Sequence, residues 1–206
     1  MDFVTSHEQL RTVYKTPEPD SNPIRKELGR LDAHCRAFIA RSPFVLMGTS
    51  DGKGNADVTP KGDKPGFAVV LDDTTIAIPD RPGNNRLDTL ENIILEPAVG
   101  LLFLIPGMNE TLRVNGEAKI TLDPVLRERL AVEGRPPMSV VVVTVKSAYM
   151  HCAKAFMRSQ LWQPESWPDR KSMPTLGEIL RDQLSLSDTP EQTDRWLDDA
   201  YAKSMW

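Results

Sequence analysis

Apolar and polar positions repeat with a helical period near both ends of this 206-residue chain and with a period close to two through its middle. Thr5 to Tyr14 predicts a short helix, with Thr5 or Ser6 as N-cap and an early acid at Glu8. Lys15 to Pro23 carries Pro17, Pro19 and Pro23 and predicts a linker. Ile24 to Leu31 and Asp32 to Ala40 predict two helices, the second capped by Asp32. Leu28, Leu31, Cys35, Phe38 and Ile39 then form one apolar face.

From Ser42 the period becomes strand-like. Pro43 to Ser50 and Ala56 to Thr59 predict two strands around the turn Asp51-Gly52-Lys53-Gly54-Asn55. Phe67 to Leu71 and Thr75 to Ile78 predict a pair across Asp72-Asp73. A helix is expected after Arg86, ending before Pro97, followed by a buried strand over Val99 to Ile105. Thr111 to Leu122 predicts a long strand. Asp123 caps a short helix that ends near Gly134, and the β-branched run Ser139 to Val145 predicts a central strand, apolar on both faces over Val140 to Val143 as a sheet buried in a dimer would be. Helical patterns return after His151; Trp162 to Pro174, with Pro164, Pro168 and Pro174, is expected to be irregular, and Pro174 to Leu184 and Pro190 to Lys203 are expected to be helices. The order is helices, about six strands broken by two helices, then helices. Consecutive strands joined by short turns predict a mainly β (α+β) fold, an antiparallel barrel flanked by helices. Residues 1–40 are expected to pack on the barrel, 41–162 to form it, and 163–206 to make a helical extension.

Composition narrows the function. The net charge is -4 and the pI about 5.5, against a nucleic-acid-binding surface. Cys35 and Cys152 fit no disulfide framework and are expected as reduced thiols. Met1 to Thr5 has neither the basic nor the apolar region of a signal peptide. The longest apolar run, around Val99 to Pro106, is too short to span a bilayer. A cytoplasmic protein that takes a small molecule is expected.

The segment Thr74 to Phe103 carries the strongest chemical signal. It predicts strand, loop, helix and apolar strand, and the loop Asp80 to Arg86 opens directly into the helix. Free backbone N–H groups, the helix dipole and the Arg86 guanidinium together suit a phosphate. The competing reading of Asn84, Asn85 and Arg86 is an ordinary helix start with a solvated arginine. Thr59, Pro60, Lys61 and Gly62, followed by Asp63, offer a hydroxyl, an ammonium and a flexible backbone at a strand end; a polar turn is the alternative. Lys154 and Arg158 lie four residues apart on a predicted helix beginning at His151. Their mutual repulsion would be relieved by an anion between them, either a ligand phosphate or a carboxylate such as Glu110 or Asp123. Trp162, one turn on, suits stacking, an interface or plain packing. The His34-Cys35 and His151-Cys152 pairs lack chelating spacing, so no metal site is expected. No nucleophile elbow, Walker loop or paired-glutamate signature is present.

These residues resemble a known family. Phe44 to Val58, Phe67 to Ile78, the loop Asp80 to Arg86, and the pair Val99–Phe103 with Leu112–Ala118 follow one another as in the pyridoxamine-5'-phosphate-oxidase-like flavoproteins. The Asp57 to Asp63 segment is similar to the DVSPRGD signature of an FMN-dependent subgroup. His151 to Ala155, with Arg158, Leu161 and Trp162, is similar to it as well. The resemblance spans roughly Ile39 to Trp162. It implies an FMN-binding split antiparallel β-barrel, a homodimer with FMN at the subunit interface, and an FMN-dependent oxidoreductase. It implies cofactor contacts from Thr59, Pro60, Lys61, Gly62, Ile78, Pro79, Asn84, Asn85, Arg86, Thr111, Lys154, Arg158 and Trp162. Lys61 is the candidate that would stabilise reduced flavin. Asn84-Asn85-Arg86 replaces the Ser-Arg-Lys run of the oxidase proper, and Thr111 replaces its flavin-contacting glutamine. Its C-terminal Trp and Arg motif is not visible, which argues against pyridoxamine phosphate as substrate. A non-catalytic flavin carrier, or a split barrel using deazaflavin or haem through His151, are the alternatives.

Overall fold

The computed structural model describes residues 1–205. Its helices and strands follow in the order α1 (His7–Val13), α2 (Asn22–Arg25), α3 (Ala33–Ile39), β1 (Phe44–Ser50), β2 (Ala56–Gly62), β3 (Val69–Asp72), β4 (Thr75–Asp80), α4 (Asp88–Leu95), β5 (Ala98–Leu104), β6 (Thr111–Thr121), α5 (Pro124–Arg129), β7 (Ser139–His151), α6 (Lys154–Ser159), α7 (Leu176–Leu184) and α8 (Pro190–Ser204). The seven strands form one antiparallel sheet in the order β2-β1-β5-β6-β7-β4-β3. With helices around it, this is the split-barrel architecture. Among the described residues, no helix is long and apolar enough to cross a membrane.

Side-chain alternation builds the barrel interior. On β1 the buried positions are Val45, Met47 and Thr49, with the residues between them half-buried. Val45, Met47, Phe103, Leu112, Val114, Val141 and Val143 all meet in the main core. β2 lies at a sheet edge, where Pro60 is tolerated although it has no N–H to give. Pro79 follows the same logic, because β3 pairs with β4 only from Thr75 to Ala77. The β6–β7 ladder shifts register between Asn115 and Gly116. A Cβ at Gly116 would strike the Thr144 carbonyl and lie 3.1 Å from the Val143 side chain. Glycine is what lets the two strands approach there.

Three expectations are revised. Ile24 to Leu31 is helical only through Arg25. Beyond it, Leu28 donates its N–H to the Ala148 carbonyl at 3.0 Å and accepts from the Ala148 N–H at 2.8 Å. β4 stops pairing with β7 at Thr144, so the free flank of β7 takes up Leu28 instead. The strand begun at Ser139 runs on to His151, which delays α6 to Lys154. The two-sided apolar pattern of Val140 to Val143 suggests a sheet covered by a second subunit; it is covered within the chain. Val141 and Val143 face the main core, while Val140 and Val142 pack with Ala77, Leu126 and Leu130 under α5.

Asp32 caps α3 as predicted, its carboxylate accepting the Cys35 N–H at 2.8 Å. That bond holds the Asp32 carboxyl below its ordinary value. Leu31, Cys35, Phe38 and Ile39 are buried against the sheet, and burial pushes the Cys35 thiol up to about 11.

Candidate functional site

The sheet ends meet around a cleft of about 890 Å³. One wall is β2, on which Asp57, Thr59 and Lys61 share a half-buried face. The floor is the end of β4, and the other wall is the loop 81–87 with the first turn of α4. Leu122, Met138 and Ser139 close the end where β6 leaves the sheet and β7 enters it. Tyr201 of α8 completes the lining.

The loop before α4 turns on local chemistry. The Arg86 N–H donates to Asn84 Oδ1 at 3.1 Å, the side-chain turn that Asn favours. Asn85 and Leu87 both take left-handed backbone, with φ of 57° and 62°. Leu87 occupies the N-cap position and offers no side-chain acceptor. Among the described residues, the first N–H groups of α4 therefore have no intrahelical or side-chain capping partner at this end of the cleft. α4 itself is held in place: Thr89 donates to Asp57 Oδ2 at 2.9 Å, Asn92 donates to Thr49 Oγ1 at 3.1 Å, and Ile93 is buried.

Three ion pairs stand in or beside the cleft. Lys61 Nζ lies 2.7 Å from Asp80 Oδ1, both side chains mostly buried. Arg81 Nε lies 2.7 Å from Asp63 Oδ2, and the Asp63 side chain is only 1% exposed. This second pair fastens the end of β2 to the loop. Arg86 Nε lies 2.7 Å from Asp88 Oδ2 in the open, and that hydrogen bond and charge raise the guanidinium above its ordinary value. Lys61 and Arg86 thus face the cleft with their charge already matched by a neighbouring carboxylate. An anionic ligand would exchange one partner for another rather than neutralise an isolated cation.

Of the residues expected to bind a cofactor, Thr59, Pro60, Lys61, Gly62, Pro79, Asn84, Asn85 and Arg86 line this cleft. Ile78 is 1% exposed and packs in the main core. Thr111 pairs with His151, at the opposite end of the β6–β7 ladder from the Thr121–Val140 pair beside the cleft. Lys154 and Arg158 follow on α6, both exposed. Trp162 stacks on Phe156, with ring centroids 5.8 Å apart, and donates its indole N–H to the Met108 carbonyl at 2.7 Å. Along the eleven residues of β6 the two groups are separated by a backbone path of about 33 Å. Among the described residues, no cluster of His, Cys, Asp and Glu could hold a metal ion.

Asp80 and Arg81, the start of the loop expected to bind an anion, also line the cleft, whereas Asp57, Leu122, Met138, Ser139 and Tyr201 were not expected in the site. The β4–β7 pairing brings Asp80 opposite Ser139, so the register, once known, would have pointed to Met138 and Ser139. Nothing local in the sequence marks Tyr201.

Residues 31–152 match the family model of pyridoxamine 5'-phosphate oxidase. No curated protein sequence matches the chain. Among solved structures, a candidate pyridoxamine 5'-phosphate oxidase from Lactobacillus delbrueckii is 21% identical, covering 60% of this chain and 98% of its own, with a TM-score of 0.48. HupZ from Group A Streptococcus is 17% identical, covering 58% and 92%, with a TM-score of 0.48. The FAD-binding protein of Mycobacterium smegmatis is 16% identical, covering 60% and 96%, with a TM-score of 0.42.

Proposed function

The chain belongs to the pyridoxamine 5'-phosphate oxidase family, and on that premise we propose that it is a cytoplasmic FMN-dependent oxidoreductase with the flavin in the cleft between β2, β4 and α4. One observation carries the reading. The uncapped start of α4, Asn84, Asn85 and Arg86 converge on a cleft whose remaining wall is partly apolar. That donor set suits a phosphate, and the apolar wall suits a flat ring.

Each residue then has a task. Arg86 and the α4 N–H groups bind the phosphate. Thr59 and the backbone through Gly62 border the rest of the ligand. Lys61 holds positive charge beside the site, and Asp80 keeps its ammonium in place. FMN would supply the redox chemistry, taking a hydride from a donor such as reduced nicotinamide and passing electrons to oxygen or an organic acceptor.

Residues 41–162 are the FMN-binding unit in this reading, and it works as a homodimer. Val58, Leu122 and Met138 rim the cleft at 63, 67 and 70% exposure, an apolar rim that a second subunit would cover. The partner would bring its own Thr111, Lys154, Arg158 and Trp162 to the flavin.

The visible spectrum of the purified full chain, before and after FMN addition and desalting, tests this. Retained flavin bands, with FMN released on denaturation, are expected. A colourless protein that takes up no FMN would overturn the reading, and a Soret band would redirect it to haem and His151.

A further inference from the structure

The C-terminal hairpin places one aromatic side chain in the cleft by an unusually long route. β7 ends at His151, at the end of its ladder remote from the cleft. The chain passes through α6 and a segment holding Pro164, Pro168 and Pro174, and then forms α7 and α8. These two helices are fastened to each other. The Gly177 N–H donates to Asp194 Oδ1 at 2.8 Å, and Gly177 and Thr193 are buried. A Cβ at Gly177 would sit 2.7 Å from the Asp194 nitrogen, so only glycine permits this approach. Thr189 and Gln192 form a reciprocal cap at the start of α8.

Gly177 is the second residue of α7, and its contact is Asp194, the fifth residue of α8. Only Leu176 of α7 precedes that contact, whereas residues 195–204 of α8 follow it, so the last turns of α8 run on beyond it. Tyr201 stands on that projection. It lines the cleft, is 51% exposed as a residue, and its hydroxyl has no hydrogen-bond partner among the described residues. The core does not use this ring, and the hairpin's own contact does not need it.

We propose that Tyr201 is a flavin-contacting residue, its ring lying against the isoalloxazine and closing the cleft from the α8 side; this rests on the flavin reading above. A half-exposed phenol beside a partly apolar wall suits a flat aromatic ligand, because stacking removes apolar surface from both partners. A tyrosine against a flavin also quenches flavin fluorescence by donating an electron to the excited ring, which gives a readout independent of turnover.

The experiment titrates FMN into the full-length protein and follows affinity and bound-flavin fluorescence. Wild type is expected to bind FMN and quench it. Tyr201→Ala, made in a Trp162→Phe background that removes the indole also placed at the flavin, is expected to weaken binding about fivefold and to restore fluorescence relative to the Trp162→Phe parent. Tyr201→Phe in the same background should keep near the parent's affinity, since the ring remains, while losing most of the quenching. Trp196→Ala, at an exposed position on the same helix, should change neither, which separates ring contact from loss of the hairpin. FMN binding with unchanged affinity and quenching in Tyr201→Ala would overturn this assignment and leave the flavin reading standing. Failure of wild type to bind FMN would overturn both.

Discussion

Arg86 lies 2.7 Å from Asp88, and both side chains are open to water. The pair is therefore worth little to stability, and its guanidinium is free to exchange a carboxylate for a phosphate. Arg86→Ala is expected to weaken FMN binding at least about tenfold, as loss of a charge-assisted hydrogen bond should. Asp88→Asn is expected to tighten it about threefold, because it removes a competing anion next to the phosphate position. Fluorescence titration measures both; unchanged affinity in Arg86→Ala would remove this residue from the site. Arg81 is different. Its partner Asp63 is only 1% exposed, so this arginine serves the loop rather than a ligand.

Among the elements, α3 shows how a single cap supports the core. Its Asp32 carboxylate is held below its ordinary value by the Cys35 N–H. A depressed carboxyl stabilises the fold above the unfolded-state value, and that contribution is lost as pH falls through the folded value. Asp32→Ala is therefore expected to cost about 1 kcal/mol at neutral pH. The difference from wild type should shrink as pH falls below the ordinary value of 3.8. Urea unfolding at neutral and acidic pH checks this; a constant difference would mean the loss is packing, not capping. α4 makes the opposite choice, with Leu87 in left-handed backbone and no side-chain cap. Local stability is given up there, where a ligand is proposed.

For the whole molecule, the β6–β7 ladder sets the issue. It puts Arg86 near one end and Lys154 beyond the other, so one protomer does not gather both on a single ligand. A two-fold dimer with the cleft at the interface would. Lys154→Ala is then expected to weaken FMN binding as Arg86→Ala does. Co-expressing the two variants should return tight binding to about a quarter of the sites, because each mixed dimer holds one intact site. No recovery in a preparation shown to contain mixed dimers would place the site within a single protomer.

Local chemistry was legible in the sequence wherever a few adjacent residues decide it. Asp32, Ser6 and Asp123 cap helices because each bonds an N–H in the turn that follows. The alternation on β1 reports its burial, and Asn84 to Arg86 mark the loop before α4. Pairing across the short turns was legible too, β1 with β2 and β3 with β4, but pairing between distant segments was not. Leu28 has a helical neighbourhood but bonds to Ala148, and Val140 with Val142 is covered by α5 rather than by a second chain. Both outcomes depend on which strand flank is left free, and no local pattern encodes that. The same holds for the site. Its β2 and α4 walls come from short segments that the sequence displays whole, whereas Leu122, Met138 and Tyr201 reach it through strand register and helix overhang, which exist only once the chain has folded.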